Sequence, residues 1–372
     1  MLIQSDAFNL PYKSKTFHAC VTSPPYYGLR KYSGEQGERP LGLEDTAEEH
    51  IERMVVIFRE VYRVLRDDGV CWMNYGDAFD DGNLMMLPHR LAIALQADGW
   101  IVRNDLVWFK RNPMPESVRG WTWQDDKLQK GSWRHTRAHE YVFQLVKGMG
   151  YYCNQEAVRE ALNVPDVSGI PFGGKKRAGG DNATYSGNEY TASAGRNPRS
   201  VLDVPTAPYK GAHYATFPPK LIAPLIRASV PRRCCPECGM AWAPVVEKGE
   251  KYAVDGRKNW GKDKPDEGTK LNKQDEVWNR ETPMMRSMKY EQAVTDYRPT
   301  CECGVTEHEP GIVLDIFGGS GTTGMVAKQL MRRWVVMDIS RPYLDEQAKV
   351  RTGTGTPSGA LEGLPMFGGE DE

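Results

Sequence analysis

Along the chain the spacing of apolar positions switches several times between a period of two and a period near 3.6, the signature of strands alternating with helices. Residues 16 to 22 (TFHACVT) read as a short buried strand, and the two prolines of the following SPPYYG deny backbone donors and stop it, so a loop is expected from Ser23. From Glu48 to Arg66 the residues Ile51, Met54, Val55, Phe58, Val61, Tyr62 and Leu65 recur at helical spacing until Asp67-Asp68-Gly69 ends the run. A strand is expected over Val70 to Tyr75, a helix over Leu87 to Ala97, and strands over Trp100 to Phe109 and Tyr141 to Val146. Farther on, IVLDIF (312–317) is strand-like, Met325 to Leu330 is helical, and a strand from Trp334 to Met337 ends in Asp338.

This alternation predicts an α/β fold, a mostly parallel sheet covered by helices, with ligands held at loops outside the carboxyl ends of the strands. The 372 residues suit one large core plus appended modules. Between Val167 and Arg199 the chain is rich in Gly, Ser, Asn and Thr and carries Lys175, Lys176, Arg177, Arg196 and Arg199 with few acids. That stretch is either a solvated loop or a segment that orders on a phosphate backbone. Residues 247 to 300 are highly charged and read as an insertion, and the Gly-rich Thr352 to Glu372 reads as a tail.

Lys and Arg total 48 against 49 for Asp and Glu, so any nucleic-acid surface must be local. No stretch approaches the ~20 apolar residues that a membrane helix needs, and the start lacks a signal pattern. The expectation is a cytoplasmic protein without membrane contact. Of the eight cysteines, Cys20, Cys71 and Cys153 sit in apolar or strand-like contexts and are expected to be small core residues. The others cluster. Cys235-Pro-Glu-Cys238-Gly239 has the knuckle form of a zinc ribbon, and Cys301-Glu-Cys303-Gly304 can close the tetrahedron around a structural zinc ion. The one-residue spacing of the second pair leaves room for Cys234 or His308 to replace a ligand; the alternative is reduced surface thiols.

Residues 312–317 run directly into GGSGTTG, which places glycines at a strand-to-helix turn where a ligand approaches the backbone and free N–H groups face it. Gly319, Gly321 and Gly324 satisfy G-x-G-x-x-G, and Asp338 lies about where a ribose-binding acid is expected, ~20 residues on. Taken alone, this loop fits a nicotinamide-dependent oxidoreductase, or a merely tight turn. Ser23-Pro24-Pro25-Tyr26, taken alone, is a proline turn.

Together the two motifs resemble the amino-methyltransferases of DNA, whose tetrapeptide is [D/N/S]-P-P-[Y/F/W] and whose cofactor loop is F-x-G-x-G, here Phe317-Gly318-Gly319-Ser320-Gly321. The likeness continues through Ser5-Asp6-Ala7, Asn74-Tyr75-Gly76-Asp77, Pro113 to Ser117 and Ala138-His139-Glu140, and covers most of residues 1 to 230 and 311 to 350. Because the tetrapeptide precedes the cofactor loop, the resemblance is to the β group. It implies a Rossmann-like, circularly permuted sheet with helices on both faces and a small zinc-ribbon-like insertion. Residues 1–150 would then form the catalytic half, 151–210 a Gly-rich basic segment for target recognition, and 211–230 with 311–350 the cofactor half. Residues 231–310 would be the zinc module, stapling the charged insertion to the core and helping to read sequence, and 351–372 a disordered tail.

The resemblance further implies S-adenosyl-L-methionine (AdoMet) as cofactor and DNA as partner. The catalytic residues would be Ser23, Pro24, Pro25 and Tyr26, with acceptors at Ser23 and the Pro24 carbonyl localising the amine lone pair. Tyr26 would stack on a flipped base, with Tyr27 a second candidate. The cofactor would meet Asp315, Phe317, Gly318, Gly319, Ser320, Gly321, Thr322 and Thr323, with Asp6 at the adenine, Asp338 at the ribose and Phe217 packing nearby. Asp6 also fits an ordinary turn cap. No Pro-Cys dipeptide is present, so the carbon-5 cytosine reaction is not expected. Among the DNA amino-methyltransferases Ser in the first position is commoner in cytosine-N4 enzymes and Asp in adenine-N6 enzymes, so the resemblance favours cytosine N4 over adenine N6, although a Ser acceptor could serve either amine. A catalytically silent zinc-dependent DNA-binding protein is a third reading. A bacterial or phage restriction-modification context is expected. Leu364-Pro365-Met366-Phe367 resembles peptides that dock on bacterial sliding clamps, against a chance apolar cluster in a tail, and a dimer is compatible with the sequence.

Overall fold

The first long helix begins where the Thr46 hydroxyl accepts the Glu49 N–H at 3.1 Å, with Glu48 and Glu49 in the first turn facing the positive end of the helix dipole. This helix, α1 (Ala47–Val64), follows strands β1 (Leu2–Gln4) and β2 (Phe17–Thr22). It stops two residues before the sequence pattern suggests, because Leu65 is fully buried in an extended conformation and already pairs with Phe17. Strand β3 (Leu65–Tyr75) therefore starts at once, and its register against β2 jumps from Phe17↔Leu65 to Ala19↔Val70, so Arg66–Gly69 bulge instead of breaking the chain. A short pair, β4 (Phe79–Asp80) and β5 (Asn83–Leu84), leads to α2 (Leu87–Ala97), then β6 (Ile101–Phe109), the pair β7 (Thr122–Gln124) and β8 (Lys127–Gln129), β9 (His139–Val146) and β10 (Val201–Asp203). After α3 (Pro219–Ser229) come β11 (Ala243–Val254), β12 (Ser287–Arg298), β13 (Ile312–Asp315), α4 (Thr322–Gln329) and β14 (Arg333–Asp338).

The computed structural model describes residues 1–28, 40–116, 118–160, 196–206, 217–254 and 287–353. Most of the basic Gly-rich segment, residues 211–216 and the tail motif Leu364–Phe367 lie outside them. Arg351 and Thr352, expected in the tail, are helical, because Thr352 is buried and its hydroxyl donates to the Ala348 carbonyl at 2.7 Å. Among the described residues no helix is long and apolar enough to cross a membrane.

Eight strands form one sheet in the order β1-β14-β13-β2-β3-β9-β6-β10. Neighbours are parallel except at β9, which runs against both β3 and β6. The reversal follows from the 110–138 connection, which returns at the edge it left. Alternation sorts the strand residues onto two faces. Cys71, Met73 and Tyr75 join α1 and α2 in one core, whereas Val70 and Trp72 join α3 and α4 in the other. Helices thus cover both faces, as a doubly wound sheet requires.

The chain divides into two compact units. The first, Met1–Val158 with Arg199–Trp242 and Pro299–Glu372, holds the large sheet. The second, Arg159–Pro198 with Ala243–Arg298, contains the antiparallel β11–β12 ribbon and an ion pair of Arg196 with Glu160 at 2.9 Å.

Candidate active site

Strands β2 and β13 are parallel neighbours, so their carboxyl ends lie on one edge and the loops that leave them start side by side. The junction is fixed chemically. Asp315, buried at the end of β13, accepts the Thr22 hydroxyl at 2.8 Å, the Thr323 hydroxyl at 2.6 Å and the Phe317 N–H at 3.2 Å. Burial pushes its carboxyl up to about 6 despite those three donors. Ser23 follows Thr22 directly and Gly318 lies three residues beyond Asp315, so the two sequence motifs emerge from one anchored point.

The glycine loop is shaped by close approach. A Cβ on Gly318 would stand 2.0 Å from Val336 Cγ1, and the Gly318 N–H donates to the Met337 carbonyl at 2.7 Å. Gly319 and Gly321 have φ of 45° and 76°, a region costly for side chains, and Gly321 caps α4. Asp338, at the end of β14, accepts the Gly319 N–H at 2.8 Å and the Ser340 N–H at 2.8 Å, and burial raises its carboxyl. The Ser320 and Thr322 hydroxyls both accept from Arg351, at 2.6 and 2.7 Å. Ser5 donates its N–H to the Asp338 carbonyl at 3.2 Å, which sets Asp6 beside this loop, although Asp6 itself caps a turn by accepting the Phe8 N–H at 3.0 Å. Phe217 is buried in the same apolar cluster as Met325 and Val326 of α4.

The Ser-Pro-Pro-Tyr loop is held by groups on the next strands. Glu140, at the start of β9, is a carboxylate and only accepts, so Tyr26 donates its O–H there at 2.8 Å. Asn74, near the end of β3, has two amide hydrogens, and its nearest acceptors are the Tyr26 oxygen and Glu140, each at 2.9 Å. Ser23 Oγ is farther, accepting from Asn74 at 3.4 Å and donating toward the Tyr26 oxygen at 3.5 Å, so both contacts are long and one lone pair can still face outward. Burial, then the Glu140 charge, drives the Tyr26 phenol well above its ordinary value, so it remains protonated. Lys110, just past β6, pairs with Glu140 and neutralises it.

A buried relay backs the tyrosine. Glu44 accepts from His50 Nδ1 at 2.8 Å, which leaves Nε2 to accept the Tyr75 hydroxyl at 2.7 Å. The Tyr75 ring meets Tyr26 edge-on at 5.1 Å, and Gly76 is required because a Cβ there would sit 2.6 Å from the Tyr26 ring. Asn74, Glu140, Lys110, His50 and Glu44 were not singled out from the sequence as site residues. Only the Asn-Tyr-Gly-Asp and Ala-His-Glu segments flagged two of them, since a polar residue at a strand end carries no local mark of its partner.

Elsewhere in the same unit, the sulfurs of Cys235, Cys238, Cys301 and Cys303 lie within 4.8 Å of one another. The Cys238 carbonyl accepts from Arg66 at 2.6 Å. Ile312 donates its N–H to His18 Nδ1 at 3.1 Å, so Nε2 carries the hydrogen and donates to the Gly239 carbonyl at 2.9 Å. Cys234 stays out of the quartet, buried with its thiol on the Glu309 carbonyl, and His308 packs its ring on Trp242 at 5.2 Å. Backbone N–H donors bring the Cys235 thiol down to about 7, whereas contacts with Cys238 and Cys301 push Cys303 up to about 12. Cys20 and Cys71 are buried, as expected of small core residues. Cys153 is exposed instead, because it lies in the irregular chain after β9, where no strand turns it inward.

The sequence profile of the DNA methylases (N6_N4_Mtase) matches residues 17–233 and 305–349. The chain belongs to this family. The methyltransferase is 36% identical over 259 residues to the type II methyltransferase M.Cfr9I of Citrobacter freundii, covering 61% of this chain and 72% of that one. It is 37% identical over 245 residues to M.XycI of Xanthomonas campestris pv. cyanopsidis, covering 58% and 67%. Its fold is that of the PvuII DNA methyltransferase (cytosine-N4-specific), with a TM-score of 0.51 at 16% identity over 95% of this chain and 84% of that one. The methyltransferase is therefore a β-group, AdoMet-dependent DNA amino-methyltransferase of the restriction-modification type, and the oxidoreductase and silent DNA-binding readings fall away.

Proposed function

We propose that the methyltransferase acts on the N4 amine of a cytosine swung out of duplex DNA, with cytosine preferred over adenine. The observation that carries this reading is the Thr22–Asp315 hydrogen bond, which ties the start of the Ser-Pro-Pro-Tyr loop to the start of the glycine loop. The amine of a nucleobase is a poor nucleophile because its lone pair is delocalised into the ring. Ser23 Oγ and the Pro24 carbonyl accept its two hydrogens and draw the nitrogen toward tetrahedral geometry. The fixed φ of Pro24 and Pro25 holds those acceptors, so little reorganisation accompanies reaction. Tyr26, pinned at its hydroxyl end, offers its ring to the base. Ser23 is a neutral acceptor that either amine could use, and the preference for cytosine rests on the likeness to the family's cytosine-N4 members, in which Ser is commoner at this position.

The glycine loop fits AdoMet: Gly318, Gly319 and Gly321 keep side chains away, the start of α4 presents N–H groups, and Asp315, Phe317, Thr322 and Thr323 frame them. Asp338, which orders the loop by accepting the Gly319 N–H, would hold the ribose, and Asp6 and Phe217 would serve the rest of the nucleoside. When bound, the cofactor supplies an electrophilic methyl group on a sulfonium. Sequencing DNA from a host expressing the protein, by a method that separates N4-methylcytosine from N6-methyladenine, should show N4-methylcytosine at one motif; N6-methyladenine alone would overturn the base assignment.

The four-thiol cluster supports a structural zinc ion, since tetrahedral Zn–S bonds of ~2.3 Å set sulfurs about 3.8 Å apart and leave no open position. It would fasten together the chain on either side of residues 243–298, and Arg66 of β3 and His18 of β2 would brace the Cys238–Gly239 knuckle. Purified protein should carry about one zinc per chain, and Cys303→Ser should release it and lower the melting temperature. Elemental analysis finding no metal in folded protein would refute the site.

A further inference from the structure

Residues 110–138 leave the sheet after β6 and return at β9 on the edge that carries Ser23, because β6 runs parallel to β2 and β3. Both roots are tied to the site. Lys110 pairs with Glu140, Arg137 approaches Asp77 at 3.5 Å, and Arg134 lies 3.7 Å over the Phe79 ring. Beyond these roots stands the β7–β8 hairpin, exposed at every strand residue. Asp125 and Asp126, with φ of 49° and 58°, close it as a two-residue turn whose positive φ values match the right-handed twist of the strands.

Trp123 stands on β7, and Trp121 directly precedes that strand. Trp123 pairs with Leu128, and Lys130 Nζ sits 5.7 Å from the Trp121 ring. Both tryptophans stay open to solvent, 67% and 72% exposed, and Trp133 is 61% exposed. Residues 110–137 carry seven Lys and Arg against three acids in a chain whose net charge is −1. Large exposed aromatics mark a surface that meets a partner, and their pairing with local positive charge fits a polyanion that offers flat rings.

We propose that the β7–β8 hairpin is a DNA clamp: Trp121 and Trp123 pack on bases and sugars beside the flipped nucleotide, while Lys130 beside the Trp121 ring and Lys127 next to the turn, opposite Gln124, meet phosphates on either side. The proposal rests on the reading that a base leaves the duplex at Ser23. Its test is fluorescence anisotropy with a labelled duplex carrying the sequence found methylated, alongside calorimetry with AdoMet. The Trp121→Ala/Trp123→Ala variant should lose about tenfold or more in DNA affinity, and the corresponding Phe variant should keep most of it, since any aromatic face stacks. Lys127→Gln/Lys130→Gln should flatten the salt dependence by between about one and two phosphate contacts. AdoMet binding, the check on folding, should not change in any of them. An alanine variant that binds duplex as the wild type does would overturn the clamp alone. So would one that changes only the mass seen by light scattering, because the occupant would then be a second copy of this chain. Wild-type protein that binds no duplex would bring down the parent reading as well.

Discussion

Ser23→Ala should lower the rate of methyl transfer by about 10²-fold or more, the order expected when one preorganised polar contact to the reacting group is removed. The loss should fall on kcat, with AdoMet and duplex binding within about twofold of wild type. The geometry explains the split. Tyr26 is held by Glu140 and Asn74 at 2.8 and 2.9 Å, and Ser23 contributes only contacts of 3.4 and 3.5 Å to that network. Removing its hydroxyl therefore leaves the loop in place and takes away an acceptor for the amine. Single-turnover methylation measured with saturating AdoMet and DNA decides the matter. An alanine variant that turns over at the wild-type rate would mean that Ser23 is not an acceptor in the reaction.

Gly318→Ala should act on the other half of the site and by another route. The added methyl group would fall 2.0 Å from Val336 Cγ1, and Val336 is fully buried on a strand flanked by β1 and β13. That strand cannot withdraw, so the loop must lift, which breaks the Gly318–Met337 hydrogen bond and strains the Gly319–Asp338 contact. Overpacking of this kind costs about 1–3 kcal/mol of stability. AdoMet affinity should fall by about tenfold or more, because the backbone that receives the cofactor is what moves. Val336→Ala removes the obstructing Cγ1, so the double variant should recover part of the binding lost by Gly318→Ala, a coupling that calorimetry can read as a double-mutant cycle. Normal AdoMet binding by the single variant would show that the glycine loop does not hold the cofactor.

The two experiments probe loops that lie far apart in sequence, and this is where sequence and tertiary structure divide the work. Local pattern was enough for the elements: the period of Ile51 to Leu65 marked α1, and Leu87 to Ala97 matched α2. It was enough for both motifs, because glycines and prolines state their backbone requirements residue by residue. It paired the cysteines, since Cys-x-x-Cys and Cys-x-Cys spacing is a local property, and the four sulfurs do converge.

What the chain order could not state was every contact made between strands. The end of α1 was set by Leu65 pairing with Phe17, which outweighed the helical spacing around it. Cys153 reads as a small apolar residue in its local context, and only its place in an irregular segment leaves it exposed. Asn74, Glu140 and Lys110 gain their roles because the antiparallel β9 sets the end of β3 beside the starts of β9 and of the 110–138 connection. Sequence by itself marked the residues with candidate chemistry, because backbone conformation and cysteine spacing are short-range. Tertiary structure decided which of them meet, because strand order brings Thr22 to Asp315 across nearly the whole chain, and a hydrogen bond between side chains exists only once both strands are in place.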